Sequence, residues 1–426
     1  MKRRLLLLTV PILFAANKVD STEVPFELSS ENYYQLHHQV YSTDFQYIPE
    51  NLSAFEETVS YSDEQLQTVA NKIQPNQKLK VLHKFVNQQG QLVFQLSDAT
   101  YIQATRQLFF DDSILNHITI EKKYWVKKDF SVLSSPIMNE AKPVLSSLQA
   151  YQSIMVYKIV QTPVGYFAEI QGQGWINVDD LSEEDNRIEY VQEILDAKYQ
   201  KENIAVYVKQ LSSENSAGIN QEKSFYAASI AKLPILYYVQ EQLDAGIADL
   251  KQMYQYTPKS MEFQGAYQLS GSGSLPKVPD NHSYSLEELI NKTAKESDNV
   301  ASNLLAYYLT NQFDESFYKG IKKTIHTHWD MVSRETTVED AGNIMEAIYY
   351  QNGYVLESLL STQFDDQRIS KDISVPVAHK IGDADDVKHD VAIIYTDEPF
   401  VLSIFTDKSS YDEITQIAND IYGILK

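Results

Sequence analysis

The sequence has 426 residues, 43% of them hydrophobic and 22% charged, so it is long enough to bury a large core and to form two or three domains. Its formal net charge of −22 would repel a phosphate backbone, and we expect no nucleic-acid partner. The absence of cysteine excludes disulfides, thiolate metal sites, a cysteine nucleophile and a lipid-modified N-terminal cysteine. The nine histidines form no HExxH pair, and we expect neither a metal nor another cofactor.

Residues 1–16 have the pattern of a signal peptide or N-terminal anchor. Basic residues 2–4 precede the apolar run 5–16, which is shorter than a membrane-spanning helix. Ala15 and Ala16 are small, but Leu13 and Phe14 are not, so both cleavage and retention stay open. A cytoplasmic protein with an apolar first helix is the alternative. We predict an exported bacterial protein, located outside the cell, at the cell wall or on the outer face of the cytoplasmic membrane. It would touch the membrane only through an uncleaved N-terminal segment.

Residues 17–63 are rich in Ser, Glu and Tyr and show no sustained helical or strand periodicity. We predict a polar tether.

The next two segments look like a degenerate repeat. Residues 78–108 line up with residues 153–181, each as a β-branched strand, a glycine-containing turn, a second strand and an aromatic–isoleucine pair. The corresponding positions are Phe85-Val86 and Ile159-Val160, Gly90 and Gly165, and Tyr101-Ile102 and Trp175-Ile176. Short strands with glycine turns predict two small β-barrels, at 64–122 and 123–183.

These modules resemble the SH3-like GW modules with which exported bacterial proteins hold cell-wall polymers, and the second contains the dipeptide Gly174-Trp175. The resemblance implies peptidoglycan or teichoic acid as a partner. Trp175 could equally be a core aromatic residue, and the acidic chain lacks the basic surface that such modules usually use.

The remainder of the chain predicts an α/β (α+β) domain at 202–426, after a linking helix at 184–201. Strand-like runs occur at 203–211 and 391–405, the second folding over a turn at 396–399. Helical patterns occur at 232–245, 285–308, 337–351 and 411–425. Strands at both ends with helices between them predict an antiparallel sheet flanked by helices.

The first candidate site is Ser229-Ile230-Ala231-Lys232, where an apolar helix begins. Pro234 is tolerated only near a helix start, which places Ser229 at or just before the first turn and Lys232 one turn later. A lysine whose pKa is lowered by burial or positive potential can act as the base for a serine nucleophile. The alternative is a capping serine beside an exposed lysine.

Two further motifs, Ser297-Asp298-Asn299 and Lys380-Ile381-Gly382-Asp383, follow in the chain. With S-x-x-K they resemble the signature of the penicillin-interacting serine hydrolases, closest to class A β-lactamases, over about residues 200–426. Residues 271–275 and 334–350 support the same resemblance. It implies a β-lactamase/transpeptidase-like fold.

The resemblance also implies roles for individual residues. Ser229 would form an acyl-enzyme, Lys232 would accept its proton, Ser297 would relay a proton to the leaving group, and Lys380 would keep the site positive. The substrate-binding residues would be Asn299, Gly382 and Asp383. Asn299 would bind an amide of the substrate, and the backbone N–H groups of Ser229 and Asp383 would form the oxyanion hole. Asp298 would be structural.

The sequence departs from the family pattern at two points. Ile381 replaces the Thr or Ser that donates a hydrogen bond to a substrate carboxylate. The E-x-x-L-N loop, whose Glu activates the deacylating water, is absent between the second motif and Thr336. Among the carboxylates in that stretch (Asp314, Glu315, Asp330 and Glu335), Glu315 is the nearest candidate for a replacement.

We therefore predict an exported serine hydrolase that acts on a cell-wall component such as a D-alanyl ester or amide. One alternative is a true β-lactamase that hydrolyses β-lactam antibiotics, and another is a catalytically silent wall-binding protein. His326 and His328 could offer a metal two imidazoles, but they lack a partner cluster in the sequence and more simply form a surface loop.

Overall fold

The computed structural model describes residues 43–426, and the predicted signal segment and residues 17–42 of the predicted tether lie outside the described residues. The chain divides into two compact units. The first takes in the described chain up to Thr119, Val132–Leu145 and Lys158–Ile176, and the second contains the rest, including Asn177–Lys426. Within residues 43–426, no helix is both long and apolar enough to span a membrane.

Residues 43–182 are built mostly from short strands. They are β1 (Leu52–Ala54), β2 (Thr58–Tyr61), β3 (Val69–Ile73), β4 (Lys78–Leu79), β5 (Val81–Val86), β6 (Leu92–Leu96), β7 (Tyr101–Gln103), β8 (Phe109–Asp111), β9 (Asn116–Val126), β10 (Val132–Leu133), β11 (Ser153–Thr162), β12 (Gly165–Ile170), β13 (Gly174–Asn177) and β14 (Leu181–Ser182). In the first unit, one sheet has the order β4-β1-β8 and another the order β3-β2-β7-β6-β5.

The proposed repeat coincides with two strand–turn–strand arrangements. In the first, β5 pairs with β6 across a turn that contains Gly90, whose φ of 76° favours glycine. In the second, β11 pairs with β12, with Thr162 opposite Gly165. The predicted SH3-like barrels are not confirmed by these sheets. Trp175 lies in β13, partly buried, with the Lys158 ammonium 5.1 Å from its ring centre, and wall binding stays a prediction.

The predicted tether is wrong from about residue 43 onwards. Phe45, Leu52 and Ala54 are fully buried in the core of the first unit together with Phe94 and Phe109. β1 and β2 are only three and four residues long, so they produce too little period-two alternation to be recognised in the sequence.

The second unit contains the predicted α/β domain. Its further strands are β15 (Ile204–Gln210), β16 (Ser216–Ile219), β17 (Ser224–Tyr226), β18 (Met253–Gln255), β19 (Ser283–Ser285), β20 (Glu335–Thr337), β21 (Val377–Ala384), β22 (Val387–Ile394) and β23 (Phe400–Asp407). Its α-helices are α1 (Arg187–Ile194), α2 (Leu233–Asp244), α3 (Leu286–Lys295), α4 (Asn299–Tyr308), α5 (Glu315–Ile321), α6 (Val338–Gln351), α7 (Tyr354–Leu359) and α8 (Tyr411–Leu425).

The central sheet has the order β16-β15-β23-β22-β21, and all of its pairs are antiparallel. Alternate residues of β15 face opposite sides. Ala205 and Tyr207 join a core that includes buried residues of α2, α4 and α6, whereas Ile204 and Val206 join one that includes α1 and α8. The predicted antiparallel sheet between helices is confirmed, with strands from both ends of the domain paired side by side.

The helical pattern predicted at 285–308 is two helices rather than one. α3 ends at Lys295 and α4 begins at Asn299. Between them Ser297 has a φ of 54°, and Asp298 caps α4 by accepting a hydrogen bond from the Ala301 backbone N–H at 2.9 Å. The apolar periodicity continues across the break because both helices bury a face in the same core, and this hid the break in the sequence.

Candidate active site

Ser229 stands on a 3-10 turn, Ala228–Lys232, that leads directly into α2. The serine is 9% exposed, whereas the Lys232 side chain is fully buried. Because the turn places positions i and i+3 on one side, Lys232 Nζ lies 3.1 Å from Ser229 Oγ. The alternative of an exposed lysine is therefore wrong for Lys232.

The Lys232 amine has three oxygen neighbours besides Ser229 Oγ. It lies 2.6 Å from the Ser297 carbonyl oxygen, 2.7 Å from Asn299 Oδ1 and 3.3 Å from Ser297 Oγ. A neutral amine has two N–H bonds and one lone pair. The two short contacts, to acceptors that carry no proton, use both N–H bonds and leave the lone pair free to take the Ser229 proton.

Burial lowers the pKa of Lys232 well below its ordinary value, and the positive charge of Lys380 lowers it further. Asp298 acts in the opposite direction, while Arg334 and Lys277 add to the lowering. A buried lysine surrounded by other cations is thereby held ready to act as a base.

Ser297 connects the two lysines. Its Oγ accepts a hydrogen bond from Lys380 Nζ at 2.8 Å and lies on the Lys232 side through the 3.3 Å contact. The break between α3 and α4 aims this side chain inwards. Asp298 stabilises the break further, because its carboxylate also accepts a hydrogen bond from the Leu275 N–H at 2.8 Å. Its side chain is buried in the fold, in keeping with the structural role predicted for it.

The 271–275 loop approaches this break closely because it contains glycine. Gly273 has a φ of 103°, and a Cβ there would come within 2.1 Å of the Asp298 carboxylate. The glycine thus permits the contact between the Leu275 N–H and Asp298.

Lys380 is fully buried on β21, which packs beside the 3-10 turn of Ser229. Burial lowers the pKa of Lys380 to about 7, with Asp390 opposing and Arg368 assisting the shift. Gly382 allows the close packing, since a Cβ there would lie 2.8 Å from the Ala227 carbonyl oxygen and 2.9 Å from Ile230 Cγ1.

Ser229 opens into a cleft of ≈ 260 Å³. The cleft is lined by Tyr226, Ala228, Ser229, Tyr267, Gln268, Gly271, Ser272, Asn299, Arg334, Asp383 and Ala384. Asn299 is held in place by donating to the Gln268 carbonyl oxygen at 2.8 Å while its Oδ1 accepts from Lys232. The cleft therefore brings together Ser229, Asn299 and Asp383, three of the residues predicted from the sequence, while Gly382 precedes Asp383 on the same strand.

The sequence analysis did not identify Tyr267 and Arg334 as residues of the cleft. The Arg334 guanidinium lies 3.7 Å from the centre of the buried Tyr267 ring, and Lys232 Nζ lies 4.6 Å from it. Arg334 also donates to the Gly265 carbonyl oxygen at 2.7 Å. Arg334 begins the 334–350 stretch, which was a usable signal, whereas nothing near Tyr267 marked it.

The sequence also did not reveal a buried ionic cluster behind Lys380. His379 is completely buried, with Nδ1 3.0 Å from Asp390 Oδ1 and Nε2 3.1 Å from Asp365 Oδ1. Burial lowers the pKa of His379, but the two carboxylates outweigh it and raise the pKa to about 9. We therefore expect His379 to be protonated at neutral pH.

The four carboxylates considered as a deacylation base do not line the cleft. Asp314 caps α5 by accepting from the Phe317 N–H at 3.1 Å, and Asp330 accepts from the Val332 N–H at 2.9 Å. Glu315 lines a different cavity, which also contains His326 and His328. Within the described part of the chain, no group of three or more His, Cys, Asp or Glu side chains could hold a metal ion.

A family model described as "Beta-lactamase enzyme family" matches residues 186–425, more than half of the chain. The chain belongs to this family. Its mixed α/β domain is the one that the three motifs predicted.

Individual relatives are distant. Beta-lactamase VEB-1 of Pseudomonas aeruginosa is 22% identical over an alignment of 191 residues. The alignment covers 42% of this chain and 62% of that protein, less than two thirds of its length. The solved beta-lactamase of Sphaerobacter thermophilus is 20% identical with a TM-score of 0.45, covering 56% of this chain and 96% of that one. A beta-lactamase of Chitinophaga pinensis is 18% identical with a TM-score of 0.46, covering 56% and 98%.

Proposed function

We propose that this chain is an exported serine hydrolase that forms an acyl-enzyme on Ser229 and acts on a D-alanyl ester or amide of a cell-wall polymer. The observation that carries the catalytic part is the position of Lys232. Its Nζ lies 3.1 Å from Ser229 Oγ, and two carbonyl oxygens use its N–H bonds.

The proposed reaction begins when Ser229 Oγ attacks the carbonyl carbon of the acyl donor and its proton passes to Lys232 Nζ. The oxyanion is stabilised by the backbone N–H groups of Ser229 and Asp383, which line the same cleft. Collapse of the tetrahedral intermediate breaks the bond to the leaving group. That group takes a proton from Lys232 through the Ser297 hydroxyl, which lies 3.3 Å from the amine.

Release of the acyl group is expected to be slow. Among the residues that line the cleft, Asp383 has the carboxylate, and this carboxylate is engaged by Arg368 and Tyr411. A water molecule entering the cleft would find no free carboxylate there to act as its base. An acyl group delivered by a reagent in place of the natural substrate, such as a penicilloyl group, should therefore persist on Ser229.

The choice of a wall component has two supports. Ile381 cannot donate a hydrogen bond to a substrate carboxylate, which favours a substrate without one at that position. The β-rich first unit and the apolar N-terminal segment are of more use to an enzyme held near the wall than to one acting on diffusing drugs.

Intact-mass measurement of the full chain tests the proposal. A fluorophosphonate, which needs only an activated serine, should add its mass to the wild type and not to Ser229→Ala. Penicillin, whose carboxylate lies beside the scissile bond, should react more slowly, but any penicilloyl adduct at the same position should be long-lived. If neither reagent reacts with the wild type, Ser229 is not activated and the catalytically silent wall-binding protein becomes the better interpretation.

The rate of cephalosporin turnover tests the β-lactamase alternative. If each enzyme molecule hydrolyses a chromogenic cephalosporin many times, and Ser229→Ala does not, a true β-lactamase is favoured over a wall esterase. Release of D-alanine from D-alanylated teichoic acid, dependent on Ser229, would favour the esterase.

A further inference from the structure

Asp383 places a carboxylate at the edge of the Ser229 cleft, and this carboxylate is bound from behind by Arg368. Asp383 Oδ2 accepts hydrogen bonds from both Arg368 Nη2 and the Tyr411 hydroxyl. The Asp383 side chain is 35% exposed, whereas that of Arg368 is 1% exposed. The exposed member of the ion pair is therefore Asp383, a residue that lines the cleft, and its positive partner is buried.

Arg368 is held firmly in this position. Its guanidinium lies 3.9 Å from the centre of the Tyr411 ring, and Nη1 donates to Gln367 Oε1 at 2.9 Å. Its carbonyl oxygen accepts from Thr415 Oγ1 at 2.8 Å, and its Nε has no hydrogen-bond partner among the described residues. A buried guanidinium needs an anion, and here the chain itself supplies one.

Asp383 also changes the charge that a substrate meets. The other charged side chain lining the cleft is Arg334, and Lys232 and Lys380 lie buried behind Ser229. Without Asp383, the charged side chains at the cleft would be the cations Arg334 and Arg368, and a carboxylate would be attracted. With Asp383 present, an anionic group beside the scissile bond is repelled by the Asp383 carboxylate. It also cannot pair with Arg368, because Asp383 already does so.

We propose that Asp383 determines specificity by occupying Arg368 from within the cleft, so that the site rejects acyl donors with a carboxylate next to the scissile bond. It accepts donors that are uncharged there or that carry an ammonium group. This inference rests on the proposed function and narrows its substrate class: the free ammonium group of a D-alanyl ester fits, and a carboxylate-bearing leaving group does not.

The test uses two aryl esters with the same acyl group, one with a carboxylate on the leaving group and one with a carboxamide at the same place. The ratio of their kcat/KM values measures charge selectivity and cancels general effects on the site. In Asp383→Asn, which keeps the shape but not the charge, this ratio should rise in favour of the carboxylate by about 10- to 100-fold.

Two matched variants separate this role from a structural one. Asp383→Glu keeps the charge and should leave the ratio near that of the wild type. Tyr411→Phe removes the other hydrogen bond to the same carboxylate without changing any charge, and should also leave the ratio unchanged. If the pair only stabilises the fold, Asp383→Asn and Tyr411→Phe would lower the melting temperature without moving the ratio.

Selectivity can also be read without catalysis. In a Ser229→Ala background, the added change Asp383→Asn should tighten binding of the carboxylate ester relative to the carboxamide ester by a similar factor. An unchanged relative affinity there overturns the inference, whatever Ser229 does. Failure of the wild type to react with a fluorophosphonate would instead overturn the proposed function.

Discussion

Lys380 Nζ lies 2.8 Å from Ser297 Oγ, and this contact joins two lysines that would otherwise act independently. The same hydroxyl lies 3.3 Å from Lys232 Nζ. All three side chains are fully buried, so water cannot easily replace the serine as the connection. Proton movement between the base and the leaving group is therefore expected to depend on this one hydroxyl.

Ser297→Ala should slow acylation of Ser229 by roughly 100-fold or more, because general acid–base transfer by a positioned group contributes factors of that size. The rate of acylation by penicillin, whose leaving nitrogen needs the relayed proton, measures it by intact mass. Ser302→Ala is the matched control, since Ser302 is a buried serine in α4 whose hydroxyl bonds the Asp298 carbonyl oxygen. Equal loss in the two variants would mean that Ser297 acts only through the fold.

The rate of fluorophosphonate labelling should fall on the alkaline side as the pH rises through about 7, the pKa to which burial lowers Lys380. Deprotonated Lys380 no longer supplies positive charge near Ser229, so the negative charge that develops on the substrate during attack is less well stabilised. Lys380→Arg keeps the charge at all accessible pH values and should move this alkaline decline upwards. A decline that stays in place in Lys380→Arg would assign it to another group.

Gly382→Ala should destabilise the domain by roughly 1–3 kcal/mol through overpacking. It should also slow acylation at least ~10-fold, because its Cβ would push β21 away from the turn that carries Ser229. The matched control is Gly423→Ala in α8, where a Cβ meets nothing within 4 Å and should instead stabilise the helix by roughly 0.5–1 kcal/mol. Urea unfolding and the labelling rate together give both quantities.

His379 should make stability depend on pH. Its folded-state pKa of about 9 lies above its ordinary value of 6.5, so its contribution is complete below pH 6.5 and is lost as the pH rises through 9. The unfolding free energy of the wild type minus that of His379→Gln should therefore shrink by roughly 3 kcal/mol between pH 6 and pH 9.5.

Using this difference cancels the titration of Lys380, whose lowered pKa changes stability in the opposite direction over part of the same range. A difference that does not vary with pH would show that His379 is neutral between Asp390 and Asp365. His389→Gln is a useful comparison, because burial lowers the folded-state pKa of His389 to about 4. Its contribution to stability should therefore rise slightly above pH 6, opposite in sign to that of His379.

The sequence was most informative where the relevant contact is local. Ser229 and Lys232 are three residues apart, so one helical turn brings them together, and Pro234 indicated where that turn begins. The predicted strand runs at 203–211 and 391–405 correspond to β15 and to parts of β22 and β23. They were recognisable because residues on both faces are buried and a turn separates β22 from β23. The resemblance of the three motifs then predicted which distant segments meet.

Long-range contacts could not be predicted in the same way. The tether ended earlier than expected because Phe45 and Leu52 find partners in Phe94 and Phe109, far along the chain. Likewise, Arg368 lies in an irregular segment with no motif, and only the folded chain shows that its guanidinium reaches Asp383 on β21.

The sequence by itself indicated the candidate nucleophile Ser229, its neighbouring lysine and the two-sided antiparallel sheet, because helical and strand periodicity act over a few residues. The tertiary structure decided the protonation states and the character of the cleft. Lys232 acquires a lone pair directed at Ser229 only because Ser297 and Asn299, more than sixty residues away, occupy its N–H bonds. Burial of both lysines then sets their charges, since desolvation depends on what surrounds a side chain and not on its neighbours in the chain.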